Sequence, residues 1–105
     1  MRIHPATVVM AAVVLGLPAG ALAQKFPAKS VRLVLPFAAG SAVDLLARLY
    51  AQRMMESWGQ QIVVDNRTGA NGIIAADSVA KAAPDGYTLM LTGMSTLVLN
   101  PLVYP

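Results

Sequence analysis

The chain alternates short apolar runs with longer amphipathic stretches. Residues 31–37 predict a strand whose run Val31, Leu33, Val34 and Leu35 is apolar on both faces, which is typical of a central parallel strand covered by helices on each side. Residues 42–58 repeat apolar side chains at helical spacing, and Arg48 and Glu56 mark the solvent side. This pattern predicts a strand followed by a helix, and the helix is expected to end at Gly59.

The same alternation continues through the rest of the chain. Residues 61–65 predict a second strand, residues 72–83 a second helix and residues 87–91 a third strand. A further helix is expected to begin at residues 97–99 and to be interrupted by Asn100-Pro101. The order strand, helix, strand, helix, strand predicts an α/β fold made of right-handed parallel-sheet βαβ units.

Each predicted strand is followed by a loop of small or hydroxyl-bearing residues. In parallel sheets the ligand crevice lies outside the carboxyl ends of the strands, so we expect the three loops to share one edge. Loop 1 is Phe37, Ala38, Ala39, Gly40 and Ser41; loop 2 is Thr68, Gly69, Ala70, Asn71 and Gly72; loop 3 is Thr92, Gly93, Met94, Ser95 and Thr96.

Loop 1 enters the first helix through Ser41 and Asp44, a spacing typical of a helix cap. Amides at a helix N-terminus are oriented and partly positive, so they attract anions. We expect the amides of residues 38–42 and 70–73 to hold carboxylate oxygens. The hydroxyls that would assist them are those of Ser41, Thr92, Ser95 and Thr96. The alternative, that Ser41 is only a cap and the glycines only form turns, stays open on spacing alone.

The N-terminal segment has a different composition. Arg2 precedes residues 5–23, which carry no charge and end in helix breakers and small residues. This pattern is typical of a secretory signal peptide cleaved between Ala23 and Gln24, and it predicts export to the periplasm. An uncleaved anchor is the rival interpretation, because about 20 apolar residues can span a bilayer. The absence of cysteine fits the periplasm, where a domain with a good core needs no disulfides.

The remaining composition excludes several functions. After residue 23 the chain carries seven basic and five acidic side chains, which are too scattered to predict nucleic-acid binding. Its only histidine is His4, so the predicted mature chain has no Ser-His-Asp or Cys-His arrangement and no imidazole or thiolate metal ligand. We therefore expect a protein that is not an enzyme and has no cofactor or metal. The five carboxylates show no obvious catalytic pair: Asp44, Glu56, Asp65, Asp77 and Asp85.

Six ordered motifs extend from Phe26 almost to the last residue. They are Phe26-Pro27-x-Lys29, Arg32-Leu33-Val34-Leu35-Pro36-Phe37-Ala38-Ala39-Gly40, Asp44-x-x-Ala47-Arg48, Asp65-Asn66-Arg67-x-Gly69-Ala70, Ala83-Pro84-Asp85-Gly86-Tyr87-Thr88-Leu89 and Asn100-Pro101. Together they resemble the tripartite tricarboxylate transporter substrate-binding proteins, also called the Bug family.

The resemblance implies a periplasmic binding protein of type II-like fold, whose two α/β lobes close on a small organic carboxylate and deliver it to membrane permease subunits. It assigns the first-lobe half of the site to loops 1, 2 and 3. Asp44 falls on an acidic position of the family, and we expect it chiefly to orient loop 1 and the helix cap, because a bare carboxylate would repel an anion. The chain departs from the family at Ser41 and Thr68, where glycine and proline are usual.

Family members are much longer than 105 residues. Residues 24–105 are therefore expected to form an incomplete N-terminal lobe, which would bind its ligand weakly or not at all by itself. The alternative is a small secreted α/β module that acts through a protein partner at the open edge of its sheet and binds no ligand of its own.

Overall fold

A computed structural model describes residues 23–104 of the chain. The predicted signal peptide, apart from its last residue, lies outside the described residues, so cleavage between Ala23 and Gln24 stays a prediction. Within the described part, no helix is both long and apolar enough to cross a membrane.

Three parallel strands form one sheet in the order β2-β1-β3. They are β1 (Val31–Leu35), β2 (Ile62–Asn66) and β3 (Thr88–Met90). Because β1 lies in the centre and has a neighbour on each side, its apolar residues Val31, Leu33, Val34 and Leu35 are buried on both faces of the sheet. The predicted α/β fold with a parallel sheet is confirmed.

The helices connect the strands on opposite faces of the sheet. The long helix α1 (Ala42–Trp58) has the predicted bounds and ends at Gly59, whose φ of 71° is the left-handed conformation expected there. Helix α2 (Ile73–Ala80) follows a 3₁₀ turn at Ala70–Gly72, and α3 (Asn100–Val103) follows a π-helix at Ser95–Leu99.

The main core lies between α1 and one face of the sheet. It contains Val31, Leu33, Leu35, Ala47, Ala51 and Ile62. On the other face, where α2 packs, Val34 and Ala75 are fully buried. The buried alanines of α1, Ala47 and Ala51, let the helix approach the strands closely. Because all three strands are parallel, their carboxyl ends lie at one edge of the sheet.

The predicted end of the second helix is wrong by three residues. Helix α2 ends at Ala80, and the chain closes in a turn in which Lys81 donates to the carbonyl of Asp77 and Ala82 donates to the carbonyl of Val79. The residue before a proline is disfavoured in helical conformation, which explains why the helix stops short of Ala83 and Pro84.

The predicted interruption at Asn100-Pro101 is also wrong, because helical structure runs through both residues. The Asn100 amide donates to the carbonyl of Ser95, five residues back, and so forms a wide π-turn. This turn widens the helix just before Pro101, whose ring and missing amide would otherwise break it. Ser95 and Thr96 therefore belong to this helical segment and not to a loop, so loop 3 is shorter than predicted.

Candidate functional site

The three loop regions meet at Gly72. A β-carbon at this residue would lie 3.2 Å from Cβ of Pro36 and 3.0 Å from Cγ2 of Thr96, and it would collide with the Thr96 hydroxyl. Gly72 also has a φ of 87°, which favours glycine. The backbone of loop 2 thus touches both the residue before loop 1 and the helical segment after β3, and the structure brings the predicted loops to one edge of the sheet.

Asp44 lies at the start of α1 and is only 2% exposed. Its Oδ2 accepts hydrogen bonds from the Gly40 amide at 2.9 Å and from Arg48 Nε at 3.0 Å, and its Oδ1 accepts from Asn66 Nδ2 at 2.9 Å. The Gly40 amide, followed by Arg48 and Asn66, lowers the pKa of Asp44 from 3.8 to about 2, although burial opposes the shift. Asp44 is therefore ionised at neutral pH, and its carboxylate oxygens bind donors of the protein and not a ligand.

Asn66 connects this carboxylate to the other end of loop 1. Its Nδ2 also donates to the carbonyl of Phe37 at 3.0 Å, while its Oδ1 lies 3.4 Å from a guanidinium nitrogen of Arg48. Both ends of loop 1 are thus held by one network. Sequence reasoning did not single out Arg48 or Asn66 as site residues, although the spacing of Arg48 four residues after Asp44 was a usable signal.

The network changes which amides of loop 1 can hold an anion. Asp44 occupies the Gly40 amide, and the Ser41 amide donates to the carbonyl of Ala38 at 3.2 Å. The Ser41 hydroxyl accepts from the Asp44 amide at 3.3 Å, which confirms the predicted helix cap. Within residues 23–104, the three other predicted donors, the amides of Ala38, Ala39 and Ala42, have no acceptor.

Loop 2 has an unusual backbone. Ala70 and Asn71 have φ values of 47° and 53°, a left-handed conformation that non-glycine residues rarely adopt. The Gly72 amide donates to the carbonyl of Gly69 at 3.0 Å, and the Ile73 amide donates to that of Ala70. Of the four amides predicted in this loop, only those of Ala70 and Asn71 lack an acceptor in the part of the chain that is described.

A pair of asparagines fastens loop 2 to α3. Asn71 Nδ2 donates to Oδ1 of Asn100 at 2.7 Å, and Asn100 Nδ2 donates to the main-chain carbonyl of Asn71 at 2.8 Å. Asn100 is 4% exposed. Sequence reasoning missed it as a site residue, and its only signal was the Asn100-Pro101 motif.

The hydroxyl residues predicted in loops 2 and 3 differ in their burial. The Thr92 hydroxyl is buried and has no hydrogen-bond partner among the described residues. Thr96 is buried against Gly72, whereas Thr68 and Ser95 are exposed. Among residues 23–104, no group of three or more acidic or histidine side chains is placed to hold a metal ion.

A cavity of about 390 Å³ lies between α2 and the last helical segment, and Thr96 and Asn100, which contact loop 2, are among its lining residues. Its lining is mainly apolar and includes Ile73, Pro101 and Tyr104, and its one charged side chain is Asp77. Asp77 is paired with Lys81 at 2.8 Å, so the cavity offers an anion mainly apolar wall and few donors, whereas the loops carry free amides.

Fold and loops together define an α/β protein that carries free backbone amides at the carboxyl edge of a parallel sheet. The chain belongs to the tripartite tricarboxylate transporter family receptors, because the model of that family matches residues 46–105, more than half of the chain. The resemblance seen in the motifs is thereby confirmed. Since this is a family of solute receptors, the prediction of a protein that is not an enzyme is confirmed as well.

Similar proteins extend well beyond the length of this chain. A UPF0065 protein of Bordetella bronchiseptica is 48% identical over 98 residues, which cover 92% of this chain and 29% of that protein. MatC of Rhodopseudomonas palustris, solved with bound malate, is 41% identical with a TM-score of 0.70, covering 76% of this chain and 27% of that one. A second R. palustris protein, solved with adipate, is 51% identical with a TM-score of 0.60. The match covers 62% of this chain and 22% of that protein. The chain thus spans less than a third of each of these relatives.

Proposed function

We propose that this chain is part of a periplasmic solute-binding protein that binds a small organic carboxylate for a tripartite tricarboxylate-type transporter. The family match and the malate and adipate bound to two similar structures support the ligand class. The observation that carries the proposal is a set of five backbone amides without an acceptor within residues 23–104, in two loops that touch through Gly72 and Pro36. The predicted signal peptide supports export.

Backbone amides suit a carboxylate ligand because they are neutral and already oriented. Those of Ala38, Ala39 and Ala42 lie at the N-terminal end of α1, where the helix dipole adds a partial positive charge. Asp44 does not cancel this attraction, because Arg48 lies 3.0 Å from its carboxylate. The Ser41 hydroxyl, which accepts from the Asp44 amide, retains its own proton for donation to the ligand.

Residues 24–105 would supply one half of this site, as an incomplete N-terminal lobe. The amides of loops 1 and 2 line a single edge of the sheet, and a carboxylate bound there would stay open to water on its other side. Since water competes for every hydrogen bond, we expect binding by these residues alone to be weak.

The test is a titration of the ¹⁵N-labelled chain with malate, followed by NMR. The amide resonances of Ala38, Ala39, Ala42, Ala70 and Asn71 are expected to shift saturably, with a Kd on the order of millimolar. Those of Gly40 and Gly72, which are bonded within the protein, are expected to shift less.

Two additional titrations serve as controls. The neutral diamide of malate has the same carbon skeleton without charge and is expected to cause no shifts, and sodium chloride at matched ionic strength reports general screening. Shifts that are equal for malate and its diamide, or that are spread over the surface away from loops 1 and 2, would contradict the proposal.

A second candidate function is a module that acts through a protein partner. Exposed apolar side chains favour it, such as Leu97 and Leu102 in the last helical segment. Size-exclusion chromatography that gives a discrete, well-folded oligomer, together with no response to malate, would support this candidate over the first.

A further inference from the structure

We infer that Asn100 is a positioning residue: it sets the conformation of loop 2 and, through it, the affinity of the site for a carboxylate. The second part of this inference rests on the proposed function. The first part, the effect of Asn100 on the loop, is a property of the free protein and is tested without ligand.

In the helical segment that carries Asn100, polar side chains are buried and apolar side chains are exposed. Thr96 and Asn100 are buried, whereas Leu97, Leu102 and Val103 are more than half exposed. Hydrophobic burial therefore does not explain why the segment lies against loop 2. The contacts that hold it there are Thr96 against Gly72 and the hydrogen bonds of Asn100.

Asn100 makes two hydrogen bonds of opposite sense to one residue. It donates to the main-chain carbonyl of Asn71 at 2.8 Å and accepts from the side-chain amide of Asn71 at 2.7 Å. A carboxylate at position 100 would lose the donor, and an apolar side chain would lose both bonds. The donated bond acts on the backbone of loop 2, so it constrains the orientation of the peptide groups there.

Loop 2 requires such an external constraint. Two consecutive residues with β-carbons, Ala70 and Asn71, are left-handed, a conformation that sterics disfavour. The hydrogen bonds inside the turn are donated by the amides of Gly72 and Ile73, which follow the two left-handed residues. Without Asn100, the peptide groups of Ala70 and Asn71 can rotate toward negative φ, and their free amides then leave the orientation that would serve a ligand.

The decisive variant is Asn100→Leu, with Val98→Ala as an exposed control in the same helical segment. In the free ¹⁵N-labelled chain, a left-handed residue gives a strong intraresidue NOE between its amide and α protons. We expect Asn100→Leu to weaken this NOE at Ala70 and Asn71 and to speed amide exchange at Gly72 and Ile73 by about tenfold or more. The Gly40 amide, held by Asp44, is expected to exchange as before.

In the malate titration, Asn100→Leu is expected to raise the Kd by about tenfold or more, because the free amides of loop 2 lose the orientation that serves the ligand. Asn71→Gly keeps the carbonyl that accepts from Asn100 and tolerates positive φ, so we expect it to retain most of the affinity. If Asn100→Leu fails to fold, Asn100→Ala, which loses both hydrogen bonds without adding bulk or charge, takes its place with the same expected direction.

The outcomes separate the two proposals. Unchanged NOEs and exchange rates in loop 2 of the Asn100 variant would overturn the effect of Asn100 on that loop. Altered loop 2 signals with an unchanged Kd for malate would overturn its link to affinity. No response of the wild-type chain to malate would overturn the proposed function and the link to affinity. The loop 2 signals would still decide whether Asn100 sets the conformation of that loop.

Discussion

At the scale of single residues, two glycines with almost the same φ angle differ in their surroundings. Gly40 and Gly72 have φ values of 85° and 87°, but a β-carbon has open space at Gly40 and meets Pro36 and Thr96 at Gly72. Gly40→Ala is therefore expected to lower the free energy of unfolding by about 1 kcal/mol through backbone strain alone. Gly72→Ala adds overpacking, which costs a further 1–3 kcal/mol or so.

Urea denaturation of the two variants measures this difference. Because both glycines have a positive φ of the same size, Gly40→Ala is the control for strain, and the extra loss in Gly72→Ala reports the contact of loop 2 with Pro36 and Thr96. Equal losses would show that the loops do not approach each other as closely as the structure has them.

Ala70 presents the reverse case. It has a β-carbon at a φ of 47°, where sterics disfavour every residue except glycine. We expect Ala70→Gly to raise the free energy of unfolding by up to about 1 kcal/mol, because relief of strain exceeds the added entropy of the unfolded chain.

The matched control for Ala70→Gly is Ala80→Gly. Ala80 is exposed and lies at the end of α2, so glycine there is expected to destabilise by as much as about 1 kcal/mol. Thermal or urea unfolding of both variants gives the comparison. A loss of stability in Ala70→Gly similar to that in Ala80→Gly would argue against a left-handed Ala70.

At the scale of elements, Asp44 joins α1 to loop 1 and to the end of β2. Its pKa is lowered to about 2 in the folded chain, against 3.8 for an ordinary aspartate. A lowered pKa means that the folded state binds this proton less tightly than the unfolded state does. The contribution of Asp44 to stability is therefore fully present above about pH 4 and is lost as the pH falls toward 2.

The measurement is urea unfolding at several pH values between 5 and 2, with Asp44→Asn as the comparison. We expect the wild-type chain to lose more stability over this interval than the variant, since the variant has no proton to bind at this position. The other acidic groups titrate in both proteins and cancel in the difference. Parallel stability curves would contradict the role assigned to Asp44.

At the scale of the whole molecule, large apolar side chains remain on the surface. Leu102 is 79% exposed, and Leu97 and Val103 are each more than 60% exposed in the same helical segment. Exposed patches of this kind promote association and bind apolar dyes. We expect the chain to enhance the fluorescence of the dye ANS and to associate with itself as its concentration rises.

The double variant Leu97→Gln and Leu102→Gln is expected to reduce both effects. Ala83→Gln, an exposed substitution outside this segment, serves as the control and is expected to change neither. Fluorescence titration and light scattering coupled to size exclusion provide the two readouts. Dye binding that persists unchanged in the double variant would place the apolar surface elsewhere.

Much of this architecture follows from local pattern. The apolar run of β1, the helical spacing of α1 and the Ser41 cap depend on neighbours in sequence, and all three are confirmed. The predicted lengths of α2 and loop 3 are wrong, because the ends of these elements depend on the turn before Pro84 and on the π-turn before Pro101. Such turns balance several weak local preferences, which periodicity does not resolve.

The sequence by itself determined the α/β class, the alternating order of strands and helices, and the family, and it predicted three loops, of which loops 1 and 2 contain free amides in the structure. Only the tertiary structure decided which of the loop amides are free, because each depends on a partner distant in sequence or on the exact turn. Asn66 reaches Asp44 across 22 residues, and Asn71 reaches Asn100 across 29. Spacing predicts where an amide lies along the chain, whereas the tertiary structure determines whether that amide already donates a hydrogen bond to another group of the protein.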